Sequence, residues 1–121
     1  MLLRCAVAVS ALFFSSLVAE AACERSRIHW SNLGDTTSSA WKLGPGEVCE
    51  FSNRSNGNAG IYAVEVTVKP KHGVIGHANR YSVAYRASQG YRGPDDFVIT
   101  LIGKDDRGPG KVVINVSVTV Q

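Results

Sequence analysis

Two of the three histidines lie close enough in the sequence to bind one metal ion together. His72 and His77 flank a Gly-Val-Ile-Gly segment that indicates a turn. A copper or zinc ion between them would need a further ligand, such as an acid from another loop. We therefore predict no metal site and interpret both histidines as exposed turn residues. The alternative is a small periplasmic metal- or ligand-binding protein that uses His72 and His77.

The carboxylates and serines do not form a catalytic set. Glu47 and Glu50 are three residues apart on a predicted strand, so their side chains point to opposite faces and make a poor glycosidase pair. The acidic pairs at 95–96 and 105–106 fall in predicted turns, where aspartate serves local hydrogen bonding. The sequence contains no Gly-x-Ser-x-Gly nucleophile motif. We predict a protein that is not an enzyme and needs no cofactor.

Aromatic residues beside arginines are better candidates for a function. Tyrosine and tryptophan combine apolar area with a polar tip, which suits them to protein or carbohydrate surfaces. The candidate binding surface consists of Trp41, in a predicted loop, Arg80 with Tyr81, and Tyr91 with Arg92. The expected partner is a protein or a cell-surface polysaccharide. The alternative is that these aromatic side chains fill the ends of the core.

The net charge of +3 comes from scattered lysines and arginines rather than from a basic run. Nucleic-acid binding proteins carry clustered basic residues, so the pattern predicts no nucleic-acid partner. The charge favours solubility, with a weak attraction to anionic surfaces.

The amino terminus has the pattern of a secretory signal peptide. Arg4 precedes an apolar run over residues 6–19, and Ala-Glu-Ala at 19–21 fits a signal peptidase site. A transmembrane anchor is the alternative, but a spanning helix needs about 20 apolar residues. A lipoprotein is a second alternative because Cys23 follows closely, although Glu20 is unsuited to its lipid-facing processing site. We predict a signal peptide at 1–21 and a periplasmic or secreted domain at 22–121, with no membrane insertion after cleavage.

Removal of residues 1–21 leaves two cysteines, Cys23 and Cys49. Two cysteines in an exported chain favour one disulfide. Two free thiols are the alternative. A metal site is disfavoured because no histidine pair lies nearby to complete four ligands.

The mature sequence alternates apolar and polar residues with a period of two, as β-strands do. In the clearest strand, 111–121, the inward row is Val112, Ile114, Val116, Val118 and Val120. In a second, 61–69, the predicted inward row is Tyr62, Val64, Val66 and Val68. The segment 97–102 is apolar on both faces and is predicted to be central.

Shorter strands are predicted at 81–85, 47–51, 27–30 and 74–75. Glycine- and proline-containing turns separate them, including one at 56–58, and the polar segment 31–40 is predicted to be a mobile loop. This spacing predicts an all-β fold, a sandwich of about seven strands.

A short motif supports the same fold class. Gly90, Tyr91, Gly93, Asp95 and Phe97 lie in the order Gly-aromatic-x-Gly-x-Asp-x-Phe. The two glycines permit a sharp bend before a central strand, and Asp95 can accept backbone N–H bonds to close it. Tyr91 and Phe97 are predicted to be apolar plugs at the end of the sandwich.

This motif resembles that of bacterial immunoglobulin-like repeats of the cadherin-like type. The preceding Lys-His-Gly-Val turn at 71–74, Tyr85 and the closing valine-rich strand extend the resemblance over roughly residues 66–121. The resemblance implies a single immunoglobulin-like antiparallel β-sandwich of about seven strands and a non-enzymatic binding or structural module of the cell envelope. Two features depart from the family: this sequence holds one copy of the repeat, and its acids lack the spacing of a calcium loop.

Overall fold

The computed structural model describes residues 23–53 and 60–121, which form an all-β sandwich. The eight strands in these residues are β1 (Glu24–Arg25), β2 (Thr36–Leu43), β3 (Val48–Ser52), β4 (Gly60–Val68), β5 (Gly73–Asn79), β6 (Ser82–Ala87), β7 (Gly93–Asp105) and β8 (Gly108–Val120). The predicted signal peptide at 1–21 and the predicted turn at 56–58 lie outside the described residues. The fold class is confirmed, with eight strands in place of seven.

Two sheets pack face to face. The larger sheet has the order β1-β2-β8-β7-β4, and the smaller sheet has the order β3-β6-β5. The pairings are antiparallel except that β2 runs parallel to β8, from Thr36 opposite Val113 to Leu43 opposite Val120. The antiparallel sandwich thus contains one parallel pair, β2 with β8. Parallel neighbours need a long connection, and the five intervening strands, β3 to β7, provide one.

The core lies between the inner faces of the two sheets. The predicted inward row of β8 is confirmed, since all five of its members are buried: Val112, Ile114, Val116, Val118 and Val120. Strand β7 has neighbours on both sides, as its apolar sequence predicts. At the centre, the Phe97 ring packs edge-on against Trp41 at 5.2 Å and stacks with Tyr85 at 5.4 Å. Burial of each such side chain contributes roughly 1.5–3 kcal/mol.

The predicted inward row of β4 was wrong at two positions. Tyr62 is 44% exposed and Val68 is 54% exposed, whereas Ile61 and Val64 are buried. The pairing of β4 with β7 shifts register between Ile61 and Ala63 and again between Val66 and Val68. A β-bulge adds one residue to a strand and so reverses the face on which the following side chains lie.

The segment 31–40 is ordered, so the prediction of a mobile loop was wrong. Its first half is a turn in which the Asp35 carboxylate accepts the backbone N–H groups of Ser31 at 2.8 Å and Asn32 at 3.0 Å. The N–H groups of Asn32 and Ser31 lower the pKa of Asp35 because they stabilise its charged form. Its second half is the start of β2, whose inward Ser39 is buried beside Trp41.

Two short predicted strands also differ from the structure. Residues 27–30 are not in a strand, although Ile28 and Trp30 pack against the core. The brief strand predicted at 74–75 extends over Gly73–Asn79 as β5.

A disulfide between Cys23 and Cys49 closes one side of the sandwich, which confirms the predicted pairing. The two Cα atoms are 5.3 Å apart, and Cys49 is fully buried. Cys23 directly precedes β1 at the edge of the larger sheet, and Cys49 lies on β3 at the edge of the smaller sheet. The Arg25 guanidinium also donates a hydrogen bond to the Glu50 carbonyl on this side. The two sheets are therefore linked covalently at their β1 and β3 edges.

Candidate functional site

Asp95 joins three parts of the fold through one buried carboxylate. It lies near the start of β7 and is only 6% exposed. Its Oδ1 accepts the backbone N–H groups of Lys71 at 3.1 Å and Asp96 at 3.0 Å. Its Oδ2 accepts the N–H of His72 at 3.2 Å and the hydroxyl of Tyr85 at 2.7 Å. The carboxylate thus holds the β4–β5 connection against β6 and β7.

This carboxylate has a structural role. It accepts hydrogen bonds from Lys71, His72, Tyr85 and Asp96, and these bonds connect separate elements of the fold. Sequence analysis predicted that Asp95 would accept backbone N–H groups at its own turn. The structure adds the cross-connection to Lys71 and His72, which are distant in sequence and could not be identified from spacing.

Tyr85 is the group whose titration this arrangement changes. Burial, followed by the hydrogen bond to Asp95 and the negative charge of that carboxylate, raises the pKa of Tyr85 above its ordinary value. A buried phenolate beside a carboxylate would be unfavourable, so the hydroxyl stays protonated in the folded protein.

We expect Tyr85 to make the fold sensitive to alkaline pH. Because its folded pKa lies above the unfolded value of about 10, its contribution to stability is complete below pH 10 and falls as the pH rises further. Absorbance titration of tyrosinate should show one tyrosine that ionises only as the near-ultraviolet circular dichroism is lost. Tyr85→Phe should remove that step, whereas Tyr62→Phe should keep it. Ionisation of all four tyrosines before unfolding would contradict this expectation.

The glycines of the motif adopt the backbone conformations that their positions require. Gly90 has φ +80° and Gly93 has φ +135°, both in the region that disfavours side chains. The turn between them carries Tyr91, whose hydroxyl donates to the Pro94 carbonyl and whose ring stacks on His72 at 4.1 Å. Tyr91 is half-buried, so one of the candidate surface aromatics also supports the bend before β7.

The two candidate metal-binding histidines lie apart. The segment between them is strand β5, so the prediction of a turn was wrong. His72 precedes β5 and His77 lies within it, five residues further along, which is about 16 Å in extended backbone. His72 and His77 are both exposed. Among the described residues, no group of three or more histidine, cysteine or carboxylate side chains is arranged to hold a metal ion.

The candidate surface residues divide between the core and the exterior. Trp41 is 1% exposed, and its indole N–H donates to the Ser39 hydroxyl at 3.0 Å, so the prediction of a surface role in a loop was wrong. Arg80 and Tyr81 lie exposed in the β5–β6 turn, and Arg92 is exposed before β7. Trp41 and Leu43 are apolar and two positions apart, which is typical of the inward face of a strand. The polar residues before Trp41 made this pattern hard to recognise.

Strand β5 presents a free backbone edge, which sequence analysis did not locate. In an antiparallel ladder, successive residues point their N–H and C=O groups alternately toward and away from the neighbouring strand. The His72 carbonyl accepts the N–H of Ser88 across the extension of the β5–β6 pair at 3.1 Å. Because these directions alternate along the strand, the backbone N–H and C=O groups of Val74 and Gly76 also point toward β6. Gly73, Ile75 and His77 therefore direct their backbone groups outward, and we call these three residues the β5 edge.

Three other edge strands are short or carry a hydrogen bond from elsewhere in the fold. Strand β1 has only two residues, and on the β3 edge the Glu50 carbonyl accepts a hydrogen bond from the Arg25 guanidinium. At the β4 edge, the Val64 N–H donates to the Arg80 carbonyl at 3.0 Å. In the part of the chain that the structure describes, β5 pairs only with β6, and its outward backbone groups have no hydrogen-bond partner.

The segment that contains this edge carries only positively charged side chains. Residues 66–94 contain five lysines and arginines and no aspartate or glutamate. All five side chains are exposed: Lys69, Lys71, Arg80, Arg86 and Arg92. The side chain of Val74 is also 69% exposed, on the face of β5 that carries Arg86 as its cross-strand neighbour.

A shallow cleft of about 480 Å³ lies at the end of the sandwich beside Asp95. Lys71 and His72 line one wall, and Asp96, Ser117 and Thr119 contribute polar groups from β7 and β8. The cleft therefore combines hydroxyls and charges of both signs with apolar surface from Pro94 and Val118.

No protein-family model matches the chain, and no curated protein matches it. None of the described residues forms a helix long and apolar enough to cross a membrane. The disulfide is typical of a protein that folds in an oxidising compartment outside the cytoplasm.

Proposed function

We propose that this chain is an exported, non-enzymatic binding module of the bacterial cell envelope, with the immunoglobulin-like fold that its sequence motif resembles. The module contacts its partner through a sheet edge or loops. The β5 edge is the observation that carries this proposal, since unpaired N–H and C=O groups on an exposed strand are a surface that other chains recognise.

The rest of the fold supports the role of a rigid scaffold. The disulfide fixes the β1 and β3 side, and the Asp95 carboxylate fixes the connection that leads into β5. A rigid edge loses little conformational entropy on binding, which favours affinity. The signal peptide at 1–21 would direct the domain to the periplasm or beyond the cell.

The alternative of a metal-binding protein lacks support from the geometry of the histidines. A metal ion at either His72 or His77 would need all its other ligands from elsewhere, because extended backbone separates the two histidines by about 16 Å.

Binding to cell-envelope material tests the proposal. The full chain, exported and processed in a bacterial host, should bind saturably to the envelope fraction or culture fluid of the producing cell. The binding should be the same with and without chelator, and heat-unfolded, reduced protein should not show it. Absence of saturable binding, or binding that chelator abolishes, would contradict the proposal.

A further inference from the structure

We propose that the β5 edge binds an extended acidic segment of a partner protein as an added β-strand. This inference rests on the proposed binding function and assigns its site and the chemical class of its partner.

The geometry of β5 suits strand addition. Its seven residues extend about 23 Å, which accommodates a partner strand of typical length. Strand β5 contains no proline and no lysine or arginine, although these are the residues that commonly protect an edge from pairing. Its single irregularity, between His77 and Asn79, comes after the three residues of the β5 edge.

Charge complementarity identifies the partner as acidic. Lys71 lies at one end of β5, Arg80 lies past the other end, and Arg86 flanks it on β6. Because no acid occurs in residues 66–94, an approaching acidic strand meets no like charge on the β5–β6 hairpin. A second copy of β5 would bring the same cations together, so this charge pattern disfavours self-pairing.

The exposed apolar residue beside the edge gives the partner strand a side-chain contact. Val74 projects from the same face as Arg86, its neighbour across the pair. An added strand with an apolar residue and an acid two positions apart would present both side chains on this face, the apolar one toward Val74 and the acid toward Arg86. A polysaccharide could satisfy the cations but has no backbone with which to continue a β-ladder, and so the unpaired backbone favours a protein partner.

Selection from a random peptide library tests the proposal with the exported, oxidised full chain as the target. We expect the recovered peptides to be enriched in aspartate and glutamate. On binding, the amides of Gly73, Ile75 and His77 should become protected from hydrogen exchange, because they then donate to the added strand. Recovery of neutral or basic peptides only, or of none, would overturn the proposal.

Two sets of substitutions test whether backbone pairing and charge at the β5 edge carry the binding. His77→Pro removes an outward N–H and leaves the bonds to β6, since edge strands tolerate proline where the N–H faces solvent. It should abolish peptide binding while the melting temperature shows that the protein remains folded. Lys71→Glu with Arg86→Glu should weaken binding about tenfold or more at low salt. Lys104→Glu with Lys111→Glu makes the same charge change at the far β7–β8 turn and should have little effect.

An anionic polysaccharide is the competing ligand to test against the selected peptides. Polygalacturonate that binds as tightly as the selected peptides, without protecting the three amides, would overturn the proposal and favour the cleft beside Asp95. Envelope binding that survives both His77→Pro and the charge reversals would leave the binding function standing and reject the β5 edge as its site. Loss of envelope binding in the unaltered protein would instead reject the proposed function.

Discussion

Replacement of Asp95 with alanine is expected to lower the free energy of unfolding by roughly 3–5 kcal/mol. The change removes an acceptor shared by three backbone N–H groups and one buried hydroxyl. A buried donor left without a partner costs about 1–3 kcal/mol. The Tyr85 hydroxyl is fully buried, and its hydrogen-bond partner in the structure is Asp95, so its loss accounts for a large part of the effect.

Chemical denaturation of the oxidised protein measures this effect, and Asp96→Ala is its control. Asp96 follows Asp95 on β7 but is exposed, so its truncation should change stability by less than about 0.5 kcal/mol. Asp95→Asn should fall between the two, because an amide keeps one acceptor oxygen of the carboxylate. If Asp95→Ala proved as stable as Asp96→Ala, the structural role of this carboxylate would be rejected. A loss of binding in Asp95→Ala with an unchanged melting temperature would indicate contact with the ligand instead.

Removal of the disulfide by the double change Cys23→Ser and Cys49→Ala is expected to cost about 3–4 kcal/mol. The bond spans 26 residues and joins the edges of the two sheets, so its loss enlarges the unfolded ensemble and frees β1 from β3. The alanine at 49 avoids an unpartnered hydroxyl at a position that is fully buried.

Denaturation with and without a reductant distinguishes the stability lost with the disulfide bond from the stability lost by changing the two side chains. Reductant should destabilise the unaltered protein to nearly the level of the double variant and leave the variant itself unchanged. Thiol labelling under native conditions should find neither Cys23 nor Cys49 reactive. Two reactive thiols in the folded, oxidised protein would contradict the pairing.

Much of this architecture follows from the alternation of side chains along the chain. The row of valines in β8 is unambiguous because its inward positions are all apolar and most of its outward positions are polar. The apolar character of β7 likewise predicts its central place in the larger sheet, where neighbours cover both edges. The cysteine pair could be assigned because the predicted signal peptide removes the third cysteine and leaves a single pairing.

The alternation of apolar and polar residues predicted strands and their inward faces less well where polar residues are buried. Ser39 is buried because it bonds the Trp41 indole and the Ser26 carbonyl, and so β2 resembles a polar loop in sequence. In β4, bulges shift the inward row, and they depend on the pairing with β7 rather than on the residues of β4 alone. Trp41 was therefore placed on the surface, and Tyr62 in the core, when the structure has the reverse.

The sequence by itself determined the all-β class, the identity of the strands richest in apolar residues, the disulfide partners and the glycines of the bend before β7. These properties depend on local periodicity, on composition and on the backbone freedom of single residues. Only the tertiary structure decided that β2 lies parallel to β8, that Asp95 bonds Lys71, His72 and Tyr85, and that β5 is left as a free edge among cations. Each of these depends on which strands become neighbours, and that is decided by packing between residues far apart in the chain.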